Sequence, residues 1–131
     1  MEERIIMKCL IASNKKFELW KLKRMVKKIM GKKIELFFSD KESETLKIIK
    51  NAMVKDGDYI EIAIIDADLS HDRGFCAAQE IRRISPGTQI IYIADSDRDA
   101  VFAWRIHISC FLIRPVKQSD LKDALDHLWR F

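Results

Sequence analysis

Asp66 stands at the end of the branched apolar run in "EIAIIDADLSHDRG", residues 61–74, and is the residue in this chain best placed to do chemistry. A carboxylate at the mouth of a buried strand can attack a phosphodonor, or can simply be the polar end of that strand. The choice depends on what the rest of the chain brings to the same point. Four other acids, Asp68, Asp72, Asp95 and Asp97, fall in loops that follow apolar runs, as does the pair Arg114-Pro115 after "CFLI". Loop aspartates also serve as turn formers and helix caps. Three histidines, His71, His107 and His127, are too scattered for a ligand cluster, and Cys9, Cys76 and Cys110 form no C-x-x-C pair. Zinc and a disulfide framework are therefore not expected, and reduced thiols in a cytosolic protein are.

The elements that must position Asp66 follow from hydrophobic periodicity. "IIMKCLIAS" reads as a strand, followed by a helix with Phe17, Leu22, Met25, Val26 and Ile29 on its apolar stripe and Gly31 at its end. "KIELFFS" is a second strand. Ser39 and Glu42 in "SDKE" form a capping box for a second helix through Leu46, Ile49 and Ala52. "YIEIAIID" is a third strand, and "GFCAAQEIRRIS" a helix stopped by Pro86-Gly87. "TQIIYIA", "DRDAVFAWRI", "SCFLIRP" and "SDLKDALDHLWRF" continue the alternation of strand and helix to the last residue. Trp104 is expected to cover core near Phe111, with Trp20 and Trp129 open to partners.

Five strand–helix alternations with short loops imply parallel strands, right-handed crossovers and helices on both faces of one sheet. The 131 residues suffice for a single domain with its own core. No apolar run reaches the roughly 20 residues of a membrane span, and the start "MEERIIMKCLI" has acids and no small-residue cleavage site. A cytoplasmic protein without membrane attachment is expected. In such sheets function gathers at the carboxyl ends of the strands: Ser13 and Asn14, Asp66, Ala94 and Asp95, Arg114 and Pro115.

The pattern at these ends resembles the response-regulator receiver family of two-component phosphorelay signalling. The likeness lies in "IAIIDADLSHDRG", with Gly74 eight residues after Asp66, and in the ungapped "QIIYIADSDRDAVFAWRIHISCFLIRPV". "DAVFAW" and "FLIRPV" look most like the branch that precedes LytTR-type DNA-binding domains. The resemblance implies a flavodoxin-like (CheY-like) three-layer αβα sandwich over residues 1–131, with strand order 2-1-3-4-5. It makes Asp66 the phosphoacceptor and Phe111 the switch aromatic. Ser13 and Asn14 fall where the family keeps an acidic pair for Mg²⁺, Ala94 where it keeps a hydroxyl, and Arg114 where it keeps a lysine. Without two carboxylates the resemblance implies no resident cofactor and at most weak Mg²⁺ binding. Asp68 and Asp95 are possible rescue acids. Arg114 keeps the charge and is within sequence register to pair with Asp66 directly.

The reading is therefore of a degenerate receiver, a pseudo-receiver that regulates or dimerises a transcription regulator and is not an enzyme beyond autophosphorylation at Asp66. The alternative is a working receiver, phosphorylated on Asp66 by a histidine kinase with Mg²⁺. A flavin- or nucleotide-binding domain ranks below both, since "SNKKFE" is a poor phosphate loop and no G-x-G-x-x-G occurs. Partners are expected at the face of the fourth helix, fifth strand and fifth helix. Its Arg98, Asp99, Arg105, Lys122, Asp123 and Asp126 suit an effector domain, a partner protein or a symmetric homodimer, or else plain solvation. The chain stops after the fifth helix, where family members continue, so DNA contact is expected only through an effector domain outside it. Residues 1–33 carry eleven Lys/Arg against three Asp/Glu, and the remainder thirteen against seventeen. Such a basic segment meets nucleic acid or an acidic partner, or is a solvated helix face.

Overall fold

The computed structural model describes residues 6–55 and 57–129, the last without its side chain, so the Trp129 side chain and the helix end beyond it lie outside the described residues. Five strands form one parallel sheet in the order β2-β1-β3-β4-β5. They are β1 Met7–Ala12, β2 Ile34–Ser39, β3 Ile62–Asp66, β4 Gln89–Ala94 and β5 Cys110–Ile113. The helices between and after them are α1 Lys16–Met30, α2 Glu42–Ala52, α3 Gly74–Ile84, α4 Ala100–Arg105 and α5 Gln118–Trp129. Every pairing is parallel, with Ala12 level with Ile65 and Asp66 level with Ile93.

Side chains two apart on a strand share a face, and the core divides accordingly into two layers. Leu10, Ala12, Ala63, Ile65 and Tyr92 pack toward Ile49, Ala77, Ile81 and Ala103. Cys9, Ile11, Ile62, Ile64 and Ile93 face Leu22, Val26, Leu121 and Leu125 on the other side. Covered on both faces, β3 is buried at all five positions. This is why it reads as an unbroken apolar run with no alternation. Lys8, the one charge in β1, is paired by Asp58.

Three local expectations are corrected. The capping box does not form. Ser39 accepts from the Lys41 N–H at 3.3 Å, and Thr45 Oγ1 donates to it at 2.8 Å. Glu42 binds Arg73, while its own N–H is taken by Ser70 Oγ at 2.8 Å. A tertiary partner has displaced a local one. Phe17 is 71% exposed and Trp104 is 53% exposed, so neither belongs to the core. The inward stripe of α1 centres on Leu22 and Val26, with Glu18 in the position that Phe17 was expected to take.

The loop after β3 makes a tight turn over Leu69–Asp72, in which Ser70, His71 and Asp72 all have positive φ. Each such residue costs on the order of 1 kcal/mol for an L side chain. Buried Leu69 and the Arg73 N–H bond to its carbonyl at 2.8 Å hold the turn in place. On the same face of the sheet, Arg82 donates to the carbonyls of Pro86, Ile106 and His107, tying α3 to the end of α4.

Candidate functional site

Because the strands are parallel, their carboxyl ends lie along one edge of the sheet. The chain leaves β1 toward β2 on one side, while β3 lies on the other. Ser13 and Asp66 therefore flank the crevice where the order reverses. Asp66 is 1% exposed. Its Oδ2 accepts from Ser13 Oγ at 2.8 Å and its Oδ1 from the Asp68 N–H at 2.9 Å. Arg114 Nη1 reaches the same Oδ1 at 2.9 Å. That approach is off the N–H axis, so it is an ion contact without a directed hydrogen bond.

Arg114 does more than pair with Asp66. Its Nε donates to Asp95 Oδ1 at 2.8 Å and its Nη2 to Asp68 Oδ2 at 3.2 Å. Lys15 Nζ donates to the same Asp68 oxygen at 2.8 Å. One planar guanidinium thus bridges carboxylates from the ends of β3 and β4, a task a lysine ammonium lacks the fork to perform. Burial opposes its charge, but the hydrogen bond to Asp95 and the ion contact with Asp66 more than offset this and hold the guanidinium protonated. The hydrogen bond to Asp68 likewise raises the Lys15 ammonium above its ordinary value.

The hydrogen bond from Arg114 holds the Asp95 carboxyl below the usual carboxylate range. A folded value below the unfolded one means that this contact stabilises above the unfolded pKa and is lost as pH falls through the folded value. Asp95 is 68% exposed on its side chain, so solvent screens much of the effect. A carboxyl NMR titration should show Asp95 protonating at lower pH than a free aspartate. Arg114→Met should bring that midpoint back toward the ordinary value.

Ala94 gives no hydroxyl. It lines a cavity of about 250 Å³ together with Tyr92, Ala67, Phe75 and Asp99. Phe111 is half-buried on β5 and leans on Tyr92 with ring centroids 5.7 Å apart. Burial pushes the Tyr92 phenol well above its ordinary value, so it stays neutral. The Arg114–Pro115 peptide is cis.

Of the residues singled out from sequence, Ser13, Asp66, Asp68, Asp95 and Arg114 meet in one network, and Ala94 and Phe111 border it. Asn14 does not join: it is exposed and lines a separate groove beside Phe38 and Glu44. Lys15 was missed, and no spacing in the sequence marks it. The donor set around Asp66 does not fit Mg²⁺. Both carboxylate oxygens already accept from protein donors, a cation lies against one of them, and Ser13 adds only a neutral oxygen. Among the described residues, no group of three or more His, Cys, Asp or Glu side chains is arranged to hold a metal ion. Among the described residues, no helix is long and apolar enough to cross a membrane.

No family model matches the sequence, and no curated protein matches it. Solved structures do match. A response-regulator receiver domain from Clostridium thermocellum is 23% identical with a TM-score of 0.80, over 94% of each chain. A CheY-like receiver domain from Methanospirillum hungatei JF-1 is 18% identical with a TM-score of 0.77, over 93% of this chain and 92% of that one. Response regulator DrrB, an OmpR/PhoB homologue from Thermotoga maritima, is 13% identical with a TM-score of 0.75, over 93% of this chain and 52% of that one. The fold is therefore that of CheY-like receiver domains.

Proposed function

We propose that this chain is a pseudo-receiver, a regulatory module whose state is set by contacts and not by Mg²⁺-dependent phosphorylation. The observation that carries this reading is Arg114, which pairs with Asp66 and spans Asp68 and Asp95. In the receiver family a metal ion screens the approach of an anionic phosphodonor to the acceptor aspartate. Here a fixed guanidinium screens the carboxylate permanently and occupies the space in which a donor would arrive. The charge arrangement is built in, so Phe111 and the face beyond it take one arrangement without a phosphoryl group.

Output is proposed at the face of α4, β5 and α5. Val101, Phe102, Trp104 and Ile113 are large apolar side chains left exposed there. Such a patch suits an effector domain, a partner protein or a second copy of the chain. In DrrB the part that matches this chain is 52% of the whole, which is compatible with a regulator of transcription that carries a further domain. Attachment to a LytTR-type DNA-binding domain is the form of this proposal that the sequence resemblance favours.

The test is intact-mass spectrometry after incubation with acetyl phosphate and Mg²⁺, beside a receiver known to be phosphorylated and an Asp66→Asn control. No gain on the parent chain is expected. Gain of one phosphoryl group on the parent alone would sink the proposal. It would favour a second reading, a working receiver served by a histidine kinase. Asp68 and Asp95 give that reading its footing, because both lie within one guanidinium of Asp66. If Arg114 turned out to solvent, the two acids would be freed to face the acceptor.

A further inference from the structure

The basic segment of the chain is largely α1, and its outer face is not an ordinary solvated one. Leu22 and Val26 already supply the inward stripe, yet Phe17 and Trp20 are 71% and 51% exposed on the opposite side. Their rings lie 5.9 Å apart, and the Arg24 guanidinium sits 4.9 Å from the Trp20 ring centre. Glu18, the only acid of the helix, is buried, so the outer face carries cations alone. Among the described residues, Lys21, Arg24, Lys27 and Lys28 make no ion pair, whereas Lys8, Lys15 and Lys122 each have an acidic partner. A groove of about 450 Å³ runs beside Trp20 and is lined by Lys21, Arg24, Lys27, Lys28 and Gln118.

We propose that this face of α1 binds single-stranded nucleic acid. Unpaired cations along a groove match a phosphate backbone, whose binding is driven by release of counterions. Exposed aromatic rings beside the cations give unstacked bases a surface to stack on, and a guanidinium over a ring extends that surface. The Gln118 amide at the groove wall can donate to and accept from a base edge. The groove decides against a bilayer, which needs a flat apolar strip to insert. Stacking decides against a duplex, whose base faces are already covered. This inference is independent of whether Asp66 accepts phosphate, since Phe17, Trp20, Lys21, Arg24, Lys27, Lys28 and Gln118 make none of the contacts that link Arg114, Asp66, Asp68 and Asp95.

Fluorescence anisotropy of a labelled oligothymidylate with the whole chain tests it, with a duplex of equal length and phosphatidylglycerol vesicles as parallel arms. Binding to the single strand is expected in low salt, weakening as salt rises with a logarithmic slope of about −0.7 per phosphate neutralised. Trp20→Ala should weaken it about tenfold while the circular dichroism is unchanged, because a stacked base is lost. Lys27→Glu with Lys28→Glu should flatten the salt slope. Absence of binding up to about 100 µM, the loose end of non-specific affinity, would overturn the proposal. So would stronger binding to the duplex or the vesicles, or single-strand binding indifferent to Trp20→Ala.

Discussion

Replacing Arg114 with alanine should destabilise the fold by about 3 kcal/mol, because it strands a buried carboxylate. Asp66 would keep its bonds from Ser13 and the Asp68 N–H, but it would lose the one cation in contact with it among the described residues. Asp68 still has Lys15, and Asp95 is largely in solvent, so the cost concentrates on Asp66. Urea unfolding monitored by circular dichroism measures it. Asp66→Asn alone should cost less, since an amide keeps the volume and needs no counter-charge: its Oδ1 can still accept from the Asp68 N–H, and its NH2 can donate to Ser13 Oγ in place of the bond it loses there. Adding Asp66→Asn to Arg114→Ala should then recover stability relative to Arg114→Ala. The deviation from additivity should fall within the range of roughly 0.5–3 kcal/mol seen for contacting pairs. Strict additivity would mean that Asp66 and Arg114 do not share the charge interaction on which the pseudo-receiver reading depends.

The same pair explains which features the sequence disclosed. The edge of the sheet was readable because parallel strands end where their apolar runs end. Asp66, Ala94 and Arg114 each close such a run, so periodicity alone gathers them. What the guanidinium does there was open until distances were known, because a long flexible side chain at a strand end can point to solvent as easily as to a neighbour. Lys15 illustrates the opposite limit. It is one of eleven basic residues among the first 33, and nothing but three-dimensional placement separates the one that reaches Asp68 from the rest.

Helix faces were harder to read than strand ends. Phe17 and Leu22 both fit an apolar stripe on α1, but a stripe has two margins, and only packing against β1 and α5 fixes which is covered. The cost falls on Glu18, whose Oε1 is buried without a hydrogen-bond partner among the described residues. Trp104 fails in the same manner on α4, where Ala103 takes the inward position instead. In the second helix, Ser39 and Glu42 had the right types at the right spacing for a capping box. Arg73 and Ser70, arriving from 31 and 28 residues away in the chain, offered better partners.

Gly74 ties this local geometry to the acceptor position, and Gly74→Ala should be among the most damaging single-methyl additions in the chain. Its requirement is not for a left-handed φ. A β-carbon there would lie 2.1 Å from the backbone oxygen of Asp66 and 2.6 Å from the Ala67 Cα. Both are backbone atoms at the end of the central, fully buried strand, held by the Ala67 N–H bond to Ile93 O at 2.8 Å. Neither can step aside as a flexible side chain would. The cost should therefore sit at or above the upper end of the roughly 1–3 kcal/mol usual for overpacking. Gly31→Ala makes a fair comparison: its Cβ would meet nothing within 4 Å, and only its φ of +63° resists substitution. With ψ at −133° the position lies outside the left-handed helical well, and that change should cost on the order of 1–3 kcal/mol. Urea midpoints of the two variants, taken side by side, check the order. Any relief of the Gly74 clash must move the end of β3, and with it the Asp66 carboxylate away from Arg114. Gly74→Ala and Arg114→Ala should consequently cost less together than the sum of their separate effects. Full additivity would show that the strand end yields without disturbing the ion pair.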